Sequence, residues 1–325
     1  MRFTDAQLET SVRTGVEQVE AALVEAVQAP DEFTSVVAAH LLDAGGKRFR
    51  PLLAVLAAHF GDPNGPGVVP SAVVVELTHL ATLHHDDVMD EAAVRRGAPS
   101  ANARWDNTVA ILTGDFLFSR ASNLLAELGP DAVRIQARTF ERLVIGQIRE
   151  TVGPPPGADP VAHHLQVLAG KTGSLIAAAA QFGAMFAGVD PVHTDVLRAI
   201  GEDIGVAFQL SDDIIDITAE SSASGKTPGT DLREGIATLP VLYALYRSDD
   251  REDRRLRELV SHPISDEAAV AEALNLLRKS TALGDARATV VDYADRARAR
   301  LPELPDVPAR AALAALIELT ITRTY

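Results

Sequence analysis

Apolar residues recur at three- and four-residue spacing along almost the whole 325-residue chain, and the strict alternation of a half-buried strand is almost absent. That period puts one apolar stripe on each segment and dictates helices packed against helices. Hydrophobic residues make up 47% of the chain but aromatics only 5%. Ala and Leu fill the stripe, and neither loses much side-chain freedom in a helix. The expected fold class is all-α.

The spacing predicts helices over about Asp5–Val27, from a capping Asp31 to Leu42, and from Arg50–Pro51 to a loop at Asp62–Gly67. Further helices are predicted over Val73–Glu91, Arg104–Leu128, Ala132–Thr151, Val161–Phe186, Thr194–Ala219 and Gly235–Tyr246, with shorter ones to the C-terminus. Asp159–Pro160 and Asp190–Pro191 each set a capping carboxylate beside a proline, whose missing N–H costs nothing at the first helical position. Gly153–Gly157 and Ser221–Thr230 read as loops. With no low-complexity linker and no short repeat, one helical domain over residues 1–325 is the economical expectation.

The chain has no Cys, which excludes disulfides and thiolate metal sites. A formal net charge of -15 argues against a general nucleic-acid surface, though local basic clusters and bound cations can still serve a phosphorylated substrate. The N-terminus lacks a cationic region followed by an apolar run, so a cytoplasmic location is expected. The apolar stretch Ser174–Val189 is broken by Gln181 and Gly183, is short for a membrane span, and reads as a buried helix.

Two acidic clusters stand out. In HHDDVMD, Asp86 and Asp90 lie one helical turn apart on one face, with Asp87 at its edge. In DDIID, Asp212, Asp213 and Asp216 repeat that spacing next to the apolar run Ile204–Leu210. Like charges this close raise one another's proton affinity, and a multivalent cation relieves the repulsion. Carboxylate oxygens suit Mg²⁺, which keeps waters and shares phosphate oxygens. A single cluster reads equally well as a solvated acidic face; a matched pair amid apolar residues does not.

Basic residues accompany them. Gly45–Pro51 reads GGKRFRP, with Lys47, Arg48 and Arg50 in four positions, and Arg95–Arg96–Gly97 follows the first acidic cluster. Further donors sit at Lys171–Thr172–Gly173 and Gly225–Lys226–Thr227; the latter lacks the glycine pattern and strand–loop–helix setting of a P-loop. His79 lies two turns before Asp86, and both His79 and Gln209 are open to a core or a ligand reading.

The ordered series GGKRFRP, HDDVMD followed by RRG, GDFLFSRA, GQ, KTG, FQLSDDIID and GKTPGTDLREG closely resembles the trans-type polyprenyl diphosphate synthase family over nearly the whole chain. The resemblance implies a single large helical bundle around a central cavity, assembled as a homodimer, with the two acidic clusters facing across its mouth. It implies Mg²⁺, three ions with the allylic diphosphate bound. Asp86, Asp87 and Asp90 would form the first metal site; Asp212 would belong to the second, with Asp213 and Asp216 supporting it directly or through water. Arg95, Lys171 and Lys226 would neutralise the allylic diphosphate, while Lys47, Arg50, His79 and Arg96 would hold isopentenyl diphosphate. Gln209 would lie near the reacting chains, and Thr172 would steady the developing allylic cation. The implied reaction is condensation of isopentenyl diphosphate with an allylic prenyl diphosphate, and a lipophilic product implies transient membrane contact at release.

Many members of that family carry Lys or Arg just after DLREG, where this chain has Ile236–Ala237–Thr238, so one phosphate contact is expected to be absent or replaced. Ala81 and Thr82 lie five and four positions before Asp86, roughly 6–7.5 Å down the helix. In the resembling family large aromatics here close the tunnel for short products. Their absence favours a product longer than farnesyl diphosphate, of about C30–C50, unless Phe116 or Phe118 forms a floor or Ala81 is small merely for close packing. The alternatives are a geranylgeranyl diphosphate synthase, a terpene cyclase, or a subunit of a heteromeric synthase that does not act alone.

Overall fold

Asp5, Asp31, Asp106, Asp159 and Asp266 each accept a hydrogen bond from a backbone N–H two or three residues on, and each begins a helix. The computed structural model describes residues 3–218, 228–246 and 254–322. Among them run α1 (Ala6–Ala26), α2 (Glu32–Asp43), α3 (Phe49–Ala58), α4 (Val68–Met89), a hairpin of β1 (Val94–Arg95) and β2 (Ala98–Pro99), α5 (Ala101–Arg104), α6 (Asn107–Leu128) and α7 (Pro130–Val152). Then come α8 (Pro160–Leu168), a π-helical turn at Ala169–Gly173, α9 (Ser174–Phe186), α10 (Pro191–Thr218), α11 (Thr230–Glu234), α12 (Leu239–Tyr246), α13 (Arg254–Val260), α14 (Glu267–Lys279), α15 (Thr281–Arg300) and α16 (Pro308–Thr322). The all-α expectation is borne out, with two two-residue strands as the exception among the described residues.

The chain packs as two compact units. The first comprises Met1–Phe140, Leu175–Gly201 and Glu303–Leu313; the second comprises Glu141–Ser174, Glu202–Pro302 and Ala314–Tyr325. In the first, α4 is the central element, packed by α6, α3 and α1, and it is apolar on nearly every side. Leu53, Leu56, Leu77, Leu80 and Leu117 are all but excluded from water, and each such side chain contributes about 1.5–3 kcal/mol of transfer free energy. Phe182 of α9 is likewise fully buried, so the apolar stretch after Ser174 is a core helix. No described helix is long and apolar enough to cross a membrane.

In the second unit α12 packs on α15, α8, α13 and α14. One apolar cluster joins Val206, Leu210 and Ile214 of α10 to Leu239, Leu242 and Val290. Another joins Ile217 to Leu232, Val241, Leu256, Leu274 and Leu277.

Several boundaries differ from the sequence expectation. Helix α4 begins at Val68 instead of Val73, because Pro70 falls in its first turn, where a proline is tolerated. The span expected as Arg104–Leu128 is broken at Trp105–Asp106, where Asp106 caps α6. Val161–Phe186 is interrupted by the π turn, and Gly235 ends α11 in left-handed conformation instead of starting α12.

Candidate functional site

In the first unit the end of α4 carries the first acidic cluster. Asp86 and Asp87 lie on the helix and Asp90 is its C-cap, its N–H donating to Asp86 O at 2.8 Å. The three carboxylates are not equivalent. Asp86 is half-buried and Asp90 exposed, whereas Asp87 is fully buried. Arg95 Nε donates to Asp87 Oδ1 at 2.6 Å and Arg95 Nη2 lies 4.0 Å from Asp90 Oδ2. Asp87 Oδ2 is buried with no hydrogen-bond partner among the described residues, and burial raises the Asp87 pKa against the opposing pull of Arg95.

The hairpin explains how Arg95 and Arg96 are aimed. Arg96 (φ 53°) and Gly97 (φ 77°) are its two turn residues, both left-handed, as a two-residue turn matched to strand twist requires. This turn sends Arg95 toward Asp87, while Arg96 Nη1 donates to Leu41 O at 2.7 Å and to Gly45 O.

GGKRFRP forms the opposite wall of that pocket of charge. A Cβ on Gly46 would stand 2.8 Å from Arg48 Nη1 and 3.1 Å from Arg96 Cζ, and the φ of 146° there is one that residues with a side chain rarely adopt, so the position suits glycine. Lys47 is exposed, whereas Arg48 is buried in left-handed conformation (φ 46°). Arg48 donates to Glu20 Oε1 at 2.6 Å, Gly45 O at 3.1 Å and Leu42 O at 3.0 Å, and its Nη1 lies 3.5 Å from Glu76 Oε1. Arg50 Nε is buried without a hydrogen-bond partner among the described residues, and burial draws the Arg50 pKa down to about 10. Burial also lowers the His79 pKa well below its usual value, reinforced by Arg50, Arg96, Arg95 and Arg48; His79 is therefore neutral and offers a hydrogen bond instead of a charge. Glu76, one turn before His79, is the buried counter-charge, its own pKa raised by burial against the pull of Arg50, Arg48 and Arg96. No local motif marks Glu76 or Glu20, since both lie 28 positions from Arg48.

Ala81 is fully buried, and its carbonyl faces Gly114 of α6 closely enough that a Cβ there would come within 3.1 Å. Thr82 is half-buried, its hydroxyl donating to His79 O at 2.8 Å. Phe118 packs on His85 and Phe140 at centroid distances of 5.7 and 4.7 Å.

In the second unit α10 carries Asp212, Asp213 and Asp216. Asp212 is half-buried. Asp213 is buried, with Gln209 Nε2 donating to its Oδ1 at 3.2 Å and His164 Nε2 at 3.8 Å from its Oδ2. Asp216 receives the backbone N–H groups of Thr230 and Asp231, both at 3.3 Å, and so tethers the start of α11. The π turn brings up Lys171 and Thr172: Lys171 Nζ donates to Glu150 Oε2 at 2.5 Å, and Thr172 Oγ1 to Gln209 Oε1 at 3.4 Å. Thus Thr172, Gln209 and Asp213 form one chain of hydrogen bonds, and neither His164 nor Glu150 beside it belongs to a motif that spacing alone would pick out. Lys226 lies outside the described residues. In the segment without a basic residue, Ile236 and Ala237 are exposed and Thr238 is buried.

A divalent cation is compatible with these donors. Asp86 and Asp90 offer oxygen ligands one turn apart, and the buried Asp87 Oδ2 has no bond to lose. No three His, Asp or Glu side chains converge as a ready-made cage among the described residues, so a cation held here draws further oxygens from water or phosphate.

The Polyprenyl synthetase family matches residues 31–277. The chain is 52% identical over 320 residues to nonaprenyl diphosphate synthase of Mycobacterium tuberculosis, covering 98% of this chain and 95% of that protein. It is 44% identical to dimethylallyltranstransferase of the same organism, covering 98% and 97% respectively. Among solved structures it is similar to geranylgeranyl pyrophosphate synthase from Corynebacterium glutamicum complexed with calcium and isoprenyl diphosphate. That match has a TM-score of 0.90 and 47% identity, over 100% of this chain and 99% of that one.

Proposed function

The chain belongs to the polyprenyl synthetase family, and on that premise we propose that it condenses isopentenyl diphosphate with an allylic prenyl diphosphate to give a trans-polyprenyl diphosphate. The whole of residues 1–325 acts as the catalytic domain in this reading. The observation that carries it is the sharp change of sign in the first unit: the carboxylates of Asp86, Asp87 and Asp90, with Arg95 paired to Asp87 at 2.6 Å and 4.0 Å from Asp90, stand beside the guanidiniums of Arg48, Arg50 and Arg96 around a neutral His79.

In this reading Lys47, Arg50, His79 and Arg96 hold the diphosphate of the isopentenyl substrate. Arg50 and Arg96, already desolvated, attract an anion more strongly than exposed cations do. Arg95, Lys171 and Lys226 neutralise the allylic diphosphate, with Arg95 and Lys171 turning from their present partners Asp87 and Glu150. The carboxylates of Asp86, Asp87, Asp90 and Asp212, supported by Asp213 and Asp216, would hold Mg²⁺, three ions per active site with diphosphate bound, and the metal would supply stabilisation of the charge developing on the leaving group.

The C–O bond of the allylic substrate breaks with its electron pair going to the diphosphate. C4 of the isopentenyl substrate bonds to the allylic carbon, and the proton lost in forming the new double bond passes to the departing diphosphate. Thr172, fixed through Gln209, directs its oxygen toward the developing cation. Alignment of the two substrates supplies much of the rate.

The product is of medium or long chain, about C30–C50, supported by the small Ala81 and by likeness to a nonaprenyl diphosphate synthase. The likeness to a geranylgeranyl pyrophosphate synthase favours the shorter alternative, and one chromatogram separates the two. A homodimer is part of the proposal, supported by Ile111 and Leu112, which α6 leaves 42% and 61% exposed. Cytoplasmic residence with transient membrane contact at product release completes it.

The test incubates purified protein with Mg²⁺, labelled isopentenyl diphosphate and, separately, dimethylallyl, geranyl, farnesyl or geranylgeranyl diphosphate. An extended diphosphate from at least one primer is expected. Folded protein that extends none of them would leave the reading untenable.

A further inference from the structure

We propose that Glu76 is a positioning residue for the isopentenyl diphosphate site, acting through Arg48 on the turn that presents Lys47 and Arg50. The inference rests on the function proposed above and adds to it a carboxylate and a guanidinium that never touch the substrate.

Glu76 is 2% exposed on α4, where an unpaired charge would be costly. Its Oε1 lies 3.5 Å from Arg48 Nη1. Arg48 is 7% exposed and spends its remaining donors on Glu20 Oε1, Gly45 O and Leu42 O. None of these donors faces solvent, so Arg48 serves the protein and not a ligand. It instead pins the turn at residues 45–48, in which Gly45 (φ 89°) and Gly46 (φ 146°) take positive φ as glycine readily does, while Arg48 itself is held left-handed (φ 46°), a conformation a non-glycine residue keeps only with support. Lys47 sits within that turn, between Gly46 and Arg48, and Arg50 in the first turn of the helix it launches.

Arg96 reaches the same place from the hairpin, donating to Leu41 O and Gly45 O. Arg48, Arg50 and Arg96 thus gather their charge around one interior carboxylate. Without that carboxylate they would repel one another in a medium that screens them poorly.

Two effects oppose each other when Glu76 loses its charge. The field on an incoming diphosphate becomes more positive, which favours binding. The turn also loses its anchor and the guanidiniums separate, which disfavours it. Positioning dominates because the anion is held by geometry-dependent hydrogen bonds from several donors at once.

The test compares wild type with E76Q, E76D and E20Q in Mg²⁺, with farnesyl diphosphate and isopentenyl diphosphate varied in turn. For E76Q the KM for isopentenyl diphosphate rises about tenfold or more, the size of one charge-assisted contact, while kcat and the KM for farnesyl diphosphate stay within about twofold. E76D restores part of the loss. E20Q, whose carboxylate is 40% exposed, raises the same KM by about two- to threefold. An unchanged or lowered KM for isopentenyl diphosphate in folded E76Q overturns the inference, as does an equal rise in both KM values.

Should E76Q fail to fold, E20Q decides, and an unchanged KM there overturns it. Metal-free titration with inorganic diphosphate separates this inference from the function itself. If wild type extends no primer yet binds diphosphate more tightly than E76Q, the function falls and the positioning role stands. Equal binding, or none by wild type, overturns the positioning role.

Discussion

Arg95 Nε donates to the buried Asp87 Oδ1 at 2.6 Å, so the middle carboxylate of the first cluster is held by a guanidinium from the neighbouring hairpin. Arg95 is 30% exposed, which moderates the cost of removing it. R95Q leaves Asp87 buried without its partner and lowers stability by about 2 kcal/mol, read by denaturant unfolding. In the elongation assay it also raises the KM for the allylic primer more than that for isopentenyl diphosphate.

His84 is fully buried, neither ring nitrogen has a hydrogen-bond partner among the described residues, and burial lowers its pKa to about 3. The unfolded chain, with an ordinary histidine pKa of about 6.5, binds a proton that the folded chain refuses below that value. The stability contributed by a neutral His84 is therefore present above pH of about 6.5 and is lost as pH falls toward about 3. Between pH 7.5 and 5 wild type loses about 2 kcal/mol through this group, and H84L removes that part of the slope in pH-dependent melting curves.

Gly146 on α7 leaves room for the π turn: a Cβ there would stand 2.6 Å from the backbone nitrogen of Lys171. Backbone cannot swing aside as a side-chain tip can. G146A costs about 1–3 kcal/mol and lowers kcat by displacing Lys171 and Thr172, seen as a reduced melting temperature together with reduced turnover.

The Lys171–Glu150 pair is 2.5 Å apart but both side chains are partly exposed, at 27% and 40%. Such pairs contribute about 0–1 kcal/mol. E150Q accordingly leaves the melting temperature almost unchanged, whereas K171A raises the KM for the allylic primer by about tenfold or more without altering stability.

Ala81 and Thr82 differ in their freedom to accept bulk. Ala81 is fully buried with its carbonyl against Gly114, so A81F overpacks the α4–α6 contact at about 1–3 kcal/mol while shortening the product. T82F, on the half-buried side of the helix, shortens the product with the smaller loss of stability. Product chromatography and melting curves on the two variants check both statements.

The helices and the two acidic clusters were legible because each depends on neighbours within a turn. Asp31 and Asp159 cap where their spacing says they should. The contacts that escaped depend on partners far along the chain. Glu20 and Glu76 converge on Arg48 from 28 positions away in each direction, and nothing in either local sequence marks them. His164 reaches Asp213 across 49 positions, and Asp216 is engaged at the start of α11 by N–H groups 14 and 15 residues on. The RRG turn was in principle readable, since glycine after a polar residue suits a left-handed two-residue turn, but two-residue strands are too short for alternation to declare them.

The π turn at Ala169–Gly173 accommodates one residue more than an α-helical turn would. Deleting Gly170 would let α8 and α9 merge into one regular helix and remove the bulge on which Lys171 and Thr172 sit. The direction in which the Lys171 ammonium and the Thr172 hydroxyl point is thus fixed by a surplus of backbone, and a single-codon deletion re-aims both while the sequence of the KTG motif stays intact.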